Sequence, residues 1–183
     1  EQLFDKADKL KQNAKNQKQN LEQLVELTKR FYVEKKAEQI ASKLDDLANK
    51  QDKLANDAKE NSTQNQDKLN KEFDSIQKEL EELDLKSPLD IPNDKNEQED
   101  IKQDMNNAKE QLNKQKQDIA KPKQKSAANK MKQMSKEMQD NLASGEQEQM
   151  QEDAKLLRQI LDNILAFSFD QERILSNNGS KQI

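Results

Sequence analysis

Between Ser87 and Asn93 the chain reads SPLDIPN, and nothing else in its 183 residues stops a helix so firmly. Pro88 and Pro92 have no amide hydrogen to donate, and each disfavours helix in the residue before it. The third proline is Pro122, and the two glycines are Gly145 and Gly179. A chain so poor in breakers on both sides of one strong reversal is constrained towards two long helical legs.

Composition supports helices over the alternatives. Hydrophobic residues make up 31% of the chain and aromatics 3%, too little apolar surface for a compact globule of this length. Disorder needs low hydropathy together with high net charge. Here 37% of residues are charged, but both signs are interspersed and the net charge is −4. Leu, Ala, Glu, Gln and Lys dominate, all good helix formers. Narrow apolar seams on long helices reconcile these facts.

The seams can be followed residue by residue. The outgoing leg, placed at 2–85, carries Leu3, Ala7, Leu10, Ala14, Gln17, Leu21, Leu24, Thr28 and Phe31 at alternating spacings of three and four. That is the pattern of a heptad seam. The phase slips near 32–36, and a second seam runs through Ala37, Ile40, Leu44, Leu47, Gln51, Leu54 and Ala58. The segment 60–67, ENSTQNQD, has no apolar residue. Leu69, Phe73, Ile76, Leu80 and Leu83 follow in a new phase. The Pro-containing turn occupies 86–95, with Leu89 and Ile91 expected to tuck against the helix ends. The returning leg, 96–175, carries Ile101, Met105, Ala108, Leu112, Gln115 and Ile119. It is expected to break near 121–126, at Lys121-Pro122, and again near 144–145, where Ser144 and Gln147 have the form of a capping box. Residues 176–183 are expected to be a frayed tail.

Folding back about Asp90 and Ile91 sets Ile76 beside Met105, Leu44 beside Met138 and Leu21 beside Leu161. The polar gap then faces the Pro122 break, and the slip after Phe31 faces Gly145. The expected fold is all-α: a long antiparallel helical hairpin, a coiled coil with two hinge levels, locally thickened to a bundle at the end containing both termini. The same hinges would also allow the hairpin to double over at the Pro122 level into a four-helix bundle.

Met150 to Leu175 is the densest apolar stretch. Its apolar face is wider than one partner seam can cover. Leu157, Leu161, Ile164 and Gln171 are assigned to face the outgoing leg. Leu156, Ile160, Phe167 and Ile174 are left over, a candidate protein-binding face for another protein or for self-association.

Enzymatic chemistry finds little support. With no Cys and no His, thiol nucleophiles, imidazole acid–base groups and zinc sites built on those ligands are excluded. Two glycines cannot make a Gly-rich phosphate loop. The acidic groups Asp45/Asp46, Glu81/Glu82 and Glu97/Glu99/Asp100 read as solvated faces, because acid–base catalysis needs carboxyls in a sheltered pocket. No enzyme activity, cofactor or small-molecule substrate is expected. No run approaches the ~18 apolar residues of a membrane span. The chain opens at Glu1 without an initiator Met, so a piece of a longer protein is expected.

One local charge reversal stands out. Lys121, Lys123, Lys125, Lys130, Lys132 and Lys136 carry six positive charges with no acid between them. They would suit an anionic surface: lipid headgroups, a polyanionic glycan or nucleic acid phosphates. The competing reading is that they pair with Asp45, Asp46, Asp52, Asp57 and Glu60 on the outgoing leg. Missing aromatics and scarce Arg weigh against nucleic acid. Met131, Met134 and Met138 would suit an adaptable groove, but are assigned to the core on Leu44, Leu47 and Ala48.

Three blocks carry a resemblance: LEQLVELTKRFYVEKKAEQIASKLDDLANKQDKL from Leu21, AKPKQKSAANKMKQMSKEMQ from Ala120, and SGEQEQMQEDAKLLRQILDNILAFSFDQE from Ser144. Together they resemble a helical segment of a domain-of-unknown-function family of large, membrane-anchored, coiled-coil-rich bacterial envelope proteins. The resemblance implies an extracytoplasmic place in the cell envelope, an N-terminal anchor outside these residues, and no catalytic residues to carry over. Its functional expectation is a non-enzymatic structural, scaffolding or protein-interaction segment of a larger envelope protein.

Overall fold

The computed structural model describes residues 2–85 and 91–179; side chains at 2–7, 9–10, 145–149, 174–175 and 177–179 lie outside that description. Among the described residues the chain is all-α. Its helices are α1 (Gln2–Asn56), α2 (Thr63–Asp84), α3 (Lys95–Asn113) and α4 (Gln117–Gly179). They divide into two units. Unit 2 is 30–145, and unit 1 joins 1–29 to 146–183.

Unit 2 is a bundle of four helical segments. Lys36 and Lys43 of α1 grip Glu79 of α2 at 2.7 and 2.6 Å, and Lys50 grips Glu72 at 2.6 Å. Rising numbers on α1 meet falling numbers on α2, so the two are antiparallel. The same sense holds from α2 to α3, through Asp67–Lys109 and Asp74–Lys102, and from α3 to α4, through Asp104–Lys123 and Asp100–Lys130. The ring closes where the Ser135 hydroxyl of α4 donates to the Ala41 carbonyl of α1 at 2.6 Å. Ala37, Ala41, Ala48, Ala127 and Ala128 are all buried, and their small side chains let these backbones approach.

The core of unit 2 takes Ile40, Leu44 and Leu47 from α1, Phe73, Ile76 and Leu80 from α2, Ile101 and Met105 from α3, and Met131, Met134 and Met138 from α4. Met131, Met134 and Met138 are therefore core side chains. Ile91 is buried at the turn, while Leu89 lies outside the described residues.

Three expected breaks fall elsewhere or vanish. α1 runs through 32–36 without interruption. Tyr-Val-Glu-Lys-Lys contains nothing that stops a helix. The seam shifts there because the unit boundary lies beside it, between Lys29 and Arg30. α4 likewise runs through 144–145. Ser144 donates its hydroxyl to the Asn141 carbonyl one turn back rather than capping a new helix, and the other unit boundary follows Gly145. α4 also contains Pro122. As the sixth residue of the helix, it removes a single intrahelical bond, to the Asp118 carbonyl.

The real reversal between α3 and α4 comes earlier, at Gln115, whose φ of 57° is left-handed. The Lys116 amide donates to the Gln111 carbonyl at 2.9 Å and the Gln115 amide to Leu112 at 2.9 Å. This is a Schellman closure with glutamine where glycine is usual. The α1–α2 reversal occupies 57–62 and ends at the N-cap Ser62, whose hydroxyl accepts from the Asn65 amide. Asp94 caps α3 by accepting from the Asn96 and Glu97 amides.

An extended hairpin does not describe unit 2. Its α1 segment packs on α2 as well as on α4, and Ser135 meets Ala41 rather than the Leu47 of a symmetric fold-back. The bundle also lies in 30–145, not at the end containing both termini. Each expected leg is interrupted by a reversal, at 57–62 and at 114–116, because two narrow seams bury more apolar surface against three neighbours than against one.

Candidate interaction surfaces

Unit 1 pairs one segment of α1 with one of α4. Asn163 donates to the Asn20 side chain at 3.1 Å, and Asn20 is buried. Leu27 and Ile160 are buried on the same seam, flanked by half-buried Leu156 and Phe167. This reverses the assignment of the two stripes. Ile160 is not surface, Leu156 and Phe167 are largely committed to the pair, and the Ile174 side chain lies outside the described residues. The stripe expected to face α1 is instead exposed: Leu157 at 47%, Leu161 at 57% and Ile164 at 47%, with Leu165, Met150 and Phe169 beside them. The two stripes sit side by side on one helix. Asn20 decides between them, because burying its side chain costs least where Asn163 can donate to it.

α1 has its own exposed stripe, with Leu21 and Val25, while Leu24 lies on the seam between Asn20 and Leu27. On each helix the stripe is displaced from the buried seam in the same rotational sense. In an antiparallel pair of right-handed helices, equal displacement brings both stripes to one side. Unit 1 therefore carries a single apolar face built from two helices.

The lysines of α4 separate into two sets. Asp104 of α3, nearly buried, accepts from Ser126 at 2.7 Å, Lys130 at 2.9 Å and Lys123 at 3.2 Å. Burial alone would raise the Asp104 carboxyl. The bonds from Ser126, Lys130 and Lys123 outweigh it and hold the group below the usual carboxylate range. The partner acid is thus on the neighbouring α3, not among Asp45, Asp46, Asp52, Asp57 and Glu60. Lys121, Lys125, Lys132 and Lys136 are exposed and take part in none of the described ion pairs. Their spacings of four, seven and four put them in one stripe along α4.

A buried amide layer crosses unit 2. Gln51 and Gln66 exchange bonds at 2.9 and 2.7 Å. Gln124 donates to Gln66 at 2.8 Å and to Asn61 at 2.8 Å, and Asn61 returns a bond at 3.0 Å. Gln51, Gln66 and Gln124 are fully buried. Each occupies a seam position, three or four residues from its apolar neighbours, as Gln98 does on α3. Only Gln51 stood out from the sequence. Gln66 sits in the apparently featureless 60–67, yet it precedes Leu69 and Phe73 at three and seven, the signal that marks it. This layer is chemically inert, since amides neither titrate nor attack. It links α1, α2, α4 and the 57–62 turn, and so fixes their register.

An open groove of about 1040 Å³ flanks the α1–α2 turn, with Leu54, Ala58 and Leu69 ringed by charges of both signs. It offers neither a sheltered carboxylate nor a cradle for an anion. No group of residues suited to hold a metal ion occurs among the described residues, and no helix there is long and apolar enough to cross a membrane. No protein-family model, no curated protein and no solved structure matches this chain.

Proposed function

We propose that this chain is a non-enzymatic structural or scaffolding segment that acts by binding protein through unit 1. The observation that carries the reading is the uncovered two-helix apolar face with Leu21, Val25, Leu157, Leu161, Ile164 and Leu165. Monomeric soluble proteins seldom expose a contiguous apolar patch beyond a few hundred Å². A non-catalytic role is supported by the fate of the sheltered polar groups. Asp104 is held ionised by three donors, and the most buried polar cluster is a closed set of amides. The envelope location and the larger parent protein rest on the resemblance of the quoted sequence blocks. A photo-crosslinking side chain at Leu161 of the full-length protein in cells tests the reading. Adducts are expected at Leu161 and not at Lys132; equal or absent labelling would remove it.

A second reading is favoured by the stripe Lys121, Lys125, Lys132 and Lys136, which would bind an anionic lipid surface, glycan or nucleic acid. Binding to heparin or to anionic vesicles should then weaken with salt, with a slope that falls by about one per lysine neutralised. Affinity unchanged in the Lys125→Gln, Lys132→Gln double variant would exclude it.

A further inference from the structure

We infer that unit 2 is a hinged clasp. α2 and α3 move as one body about the two reversals at 57–62 and 114–116, and uncover the α1–α4 seam without a change of register in either pair. The inference concerns unit 2 alone and goes beyond the docking reading of unit 1.

The register carries it. α1 meets α4 at Ala41 and Ser135. α2 meets α3 at Asp67 and Lys109, at Asn70 and Asn106, and at Asp74 and Lys102. In all four pairs the two residue numbers have the same sum. Ser62 and Lys114, the caps where the reversals meet α2 and α3, share it. The bundle is one hairpin of unbroken register, folded in half where both legs turn at the same level. Swinging α2–α3 outward demands no slip along any helix.

The chain also selects which pair moves. α1 and α4 continue into unit 1 and are tied there again, through Asn20 and Asn163. α2 and α3 join the remaining chain only through the two reversals. The ties that opening releases are largely polar. They are Lys36 and Lys43 on Glu79, Lys50 on Glu72, and Ser126, Lys123 and Lys130 on Asp104. Gln66 leaves Gln51 and Gln124. Water takes over each of these groups, so the cost of opening falls on the apolar contacts between the two pairs. Contacts within each pair persist. Opening therefore costs less than unfolding, as it does for other cooperative units that coincide with a supersecondary motif.

Gln115 supplies the spring. Its φ of 57° is unfavourable for a residue with a Cβ. The strain lasts only while α4 is folded back on α3, and a straightened turn relieves it. A hinge needs few residues to absorb such a change.

The chain has no cysteine, so Ala127→Cys gives the whole chain a single thiol. The site is fully buried, between the Ser126 and Lys130 that bond Asp104 of α3. In native buffer it should react faster than the global unfolding free energy of the same variant allows. Met134→Cys, also buried in the core, repeats the measurement independently. A short bis-maleimide link between Lys50→Cys and Glu72→Cys joins the two pairs. It should slow the reaction at least about tenfold, and the same link between Asn70→Cys and Asn106→Cys, within one pair, by less than about twofold. Gln115→Val should speed the reaction several-fold, because a β-branched residue tolerates a left-handed φ worst. Reaction only at the rate set by global unfolding overturns the inference, and so does equal slowing by the two links. A Gln115→Val variant that reacts no faster overturns the hinge at 114–116.

Discussion

Helices α1 and α4 serve both units, and the two environments separate what a seam can do from what a bundle adds. In unit 2 the α1 segment buries Ala37, Ile40, Leu44 and Leu47 to within 1% of complete. In unit 1 the same helix buries Asn20 and Leu27 and leaves Leu21 and Val25 more than half exposed. Sequence quality does not explain this, since α4 is at its most apolar in unit 1. The number of neighbours explains it. One partner covers a narrow stripe, and a wide apolar face needs two or more.

The contrast is open to direct challenge. Its largest test is Phe73→Ala, which empties a fully packed site in unit 2 and should cost about 3–5 kcal/mol in denaturant unfolding. Leu161→Ala in unit 1 should fall within about 0.5 kcal/mol at monomeric concentrations. Comparable losses would mean that unit 1 is as well packed as unit 2. Next comes Gln66→Leu, which strands the buried amides of Gln51 and Gln124 and should cost about 2–3 kcal/mol.

Asp104→Asn should cost about 1.5–2 kcal/mol at neutral pH, since the bonds from Lys123 and Lys130 lose their charge. The acid side of the stability profile sharpens this. The Asp104 carboxyl is depressed, and Asp67, bonded by Lys109 and Lys71, is lowered to about 2. Groups depressed in the folded state contribute fully above their unfolded value, about 3.9. That contribution fades as pH falls through the folded value. Unit 2 should therefore lose stability below about pH 4, and Asp104→Asn should flatten that slope. A profile of unchanged steepness would show that Asp104 is not responsible. The smallest effect is Gln115→Gly, which relieves a left-handed φ at a residue with a Cβ and should stabilise by about 0.5–1 kcal/mol. A loss of stability would instead assign Gln115 a role in holding the α3–α4 turn.

The seams were largely legible. Ile40, Leu44, Phe73, Ile101, Met105 and Met131 are core residues at the positions that their spacing of three and four selects. The 57–62 reversal overlaps the expected break at 60–67 only in 60–62, since 63–67 already belong to α2. Pro122 was misleading: a proline in a helix's second turn costs one bond, so it marks the vicinity of a helix start rather than a break. Gln115 carried the turn without any sequence signal, because its backbone conformation belongs to glycine and its side chain does not. The phase slip near Tyr32 and the break expected at Gly145 both fall beside unit boundaries, within continuous helices. The candidate face was legible as a surplus of apolar residues and not as a choice of stripe. The polar lock between Asn20 and Asn163 made that choice.

By itself the sequence determined that the chain would be helical, where its main reversal lies, and which side chains would seek cover. Local propensity and periodicity act along one chain and are written there. The tertiary structure decided which helix covers which, that the legs double over into four segments in unit 2, and which stripe of the Met150 to Phe169 region faces outward. Those outcomes depend on competition among partners of nearly equal apolarity. A few buried amides and one carboxylate with three donors tip that competition, through interactions that exist only once distant residues meet.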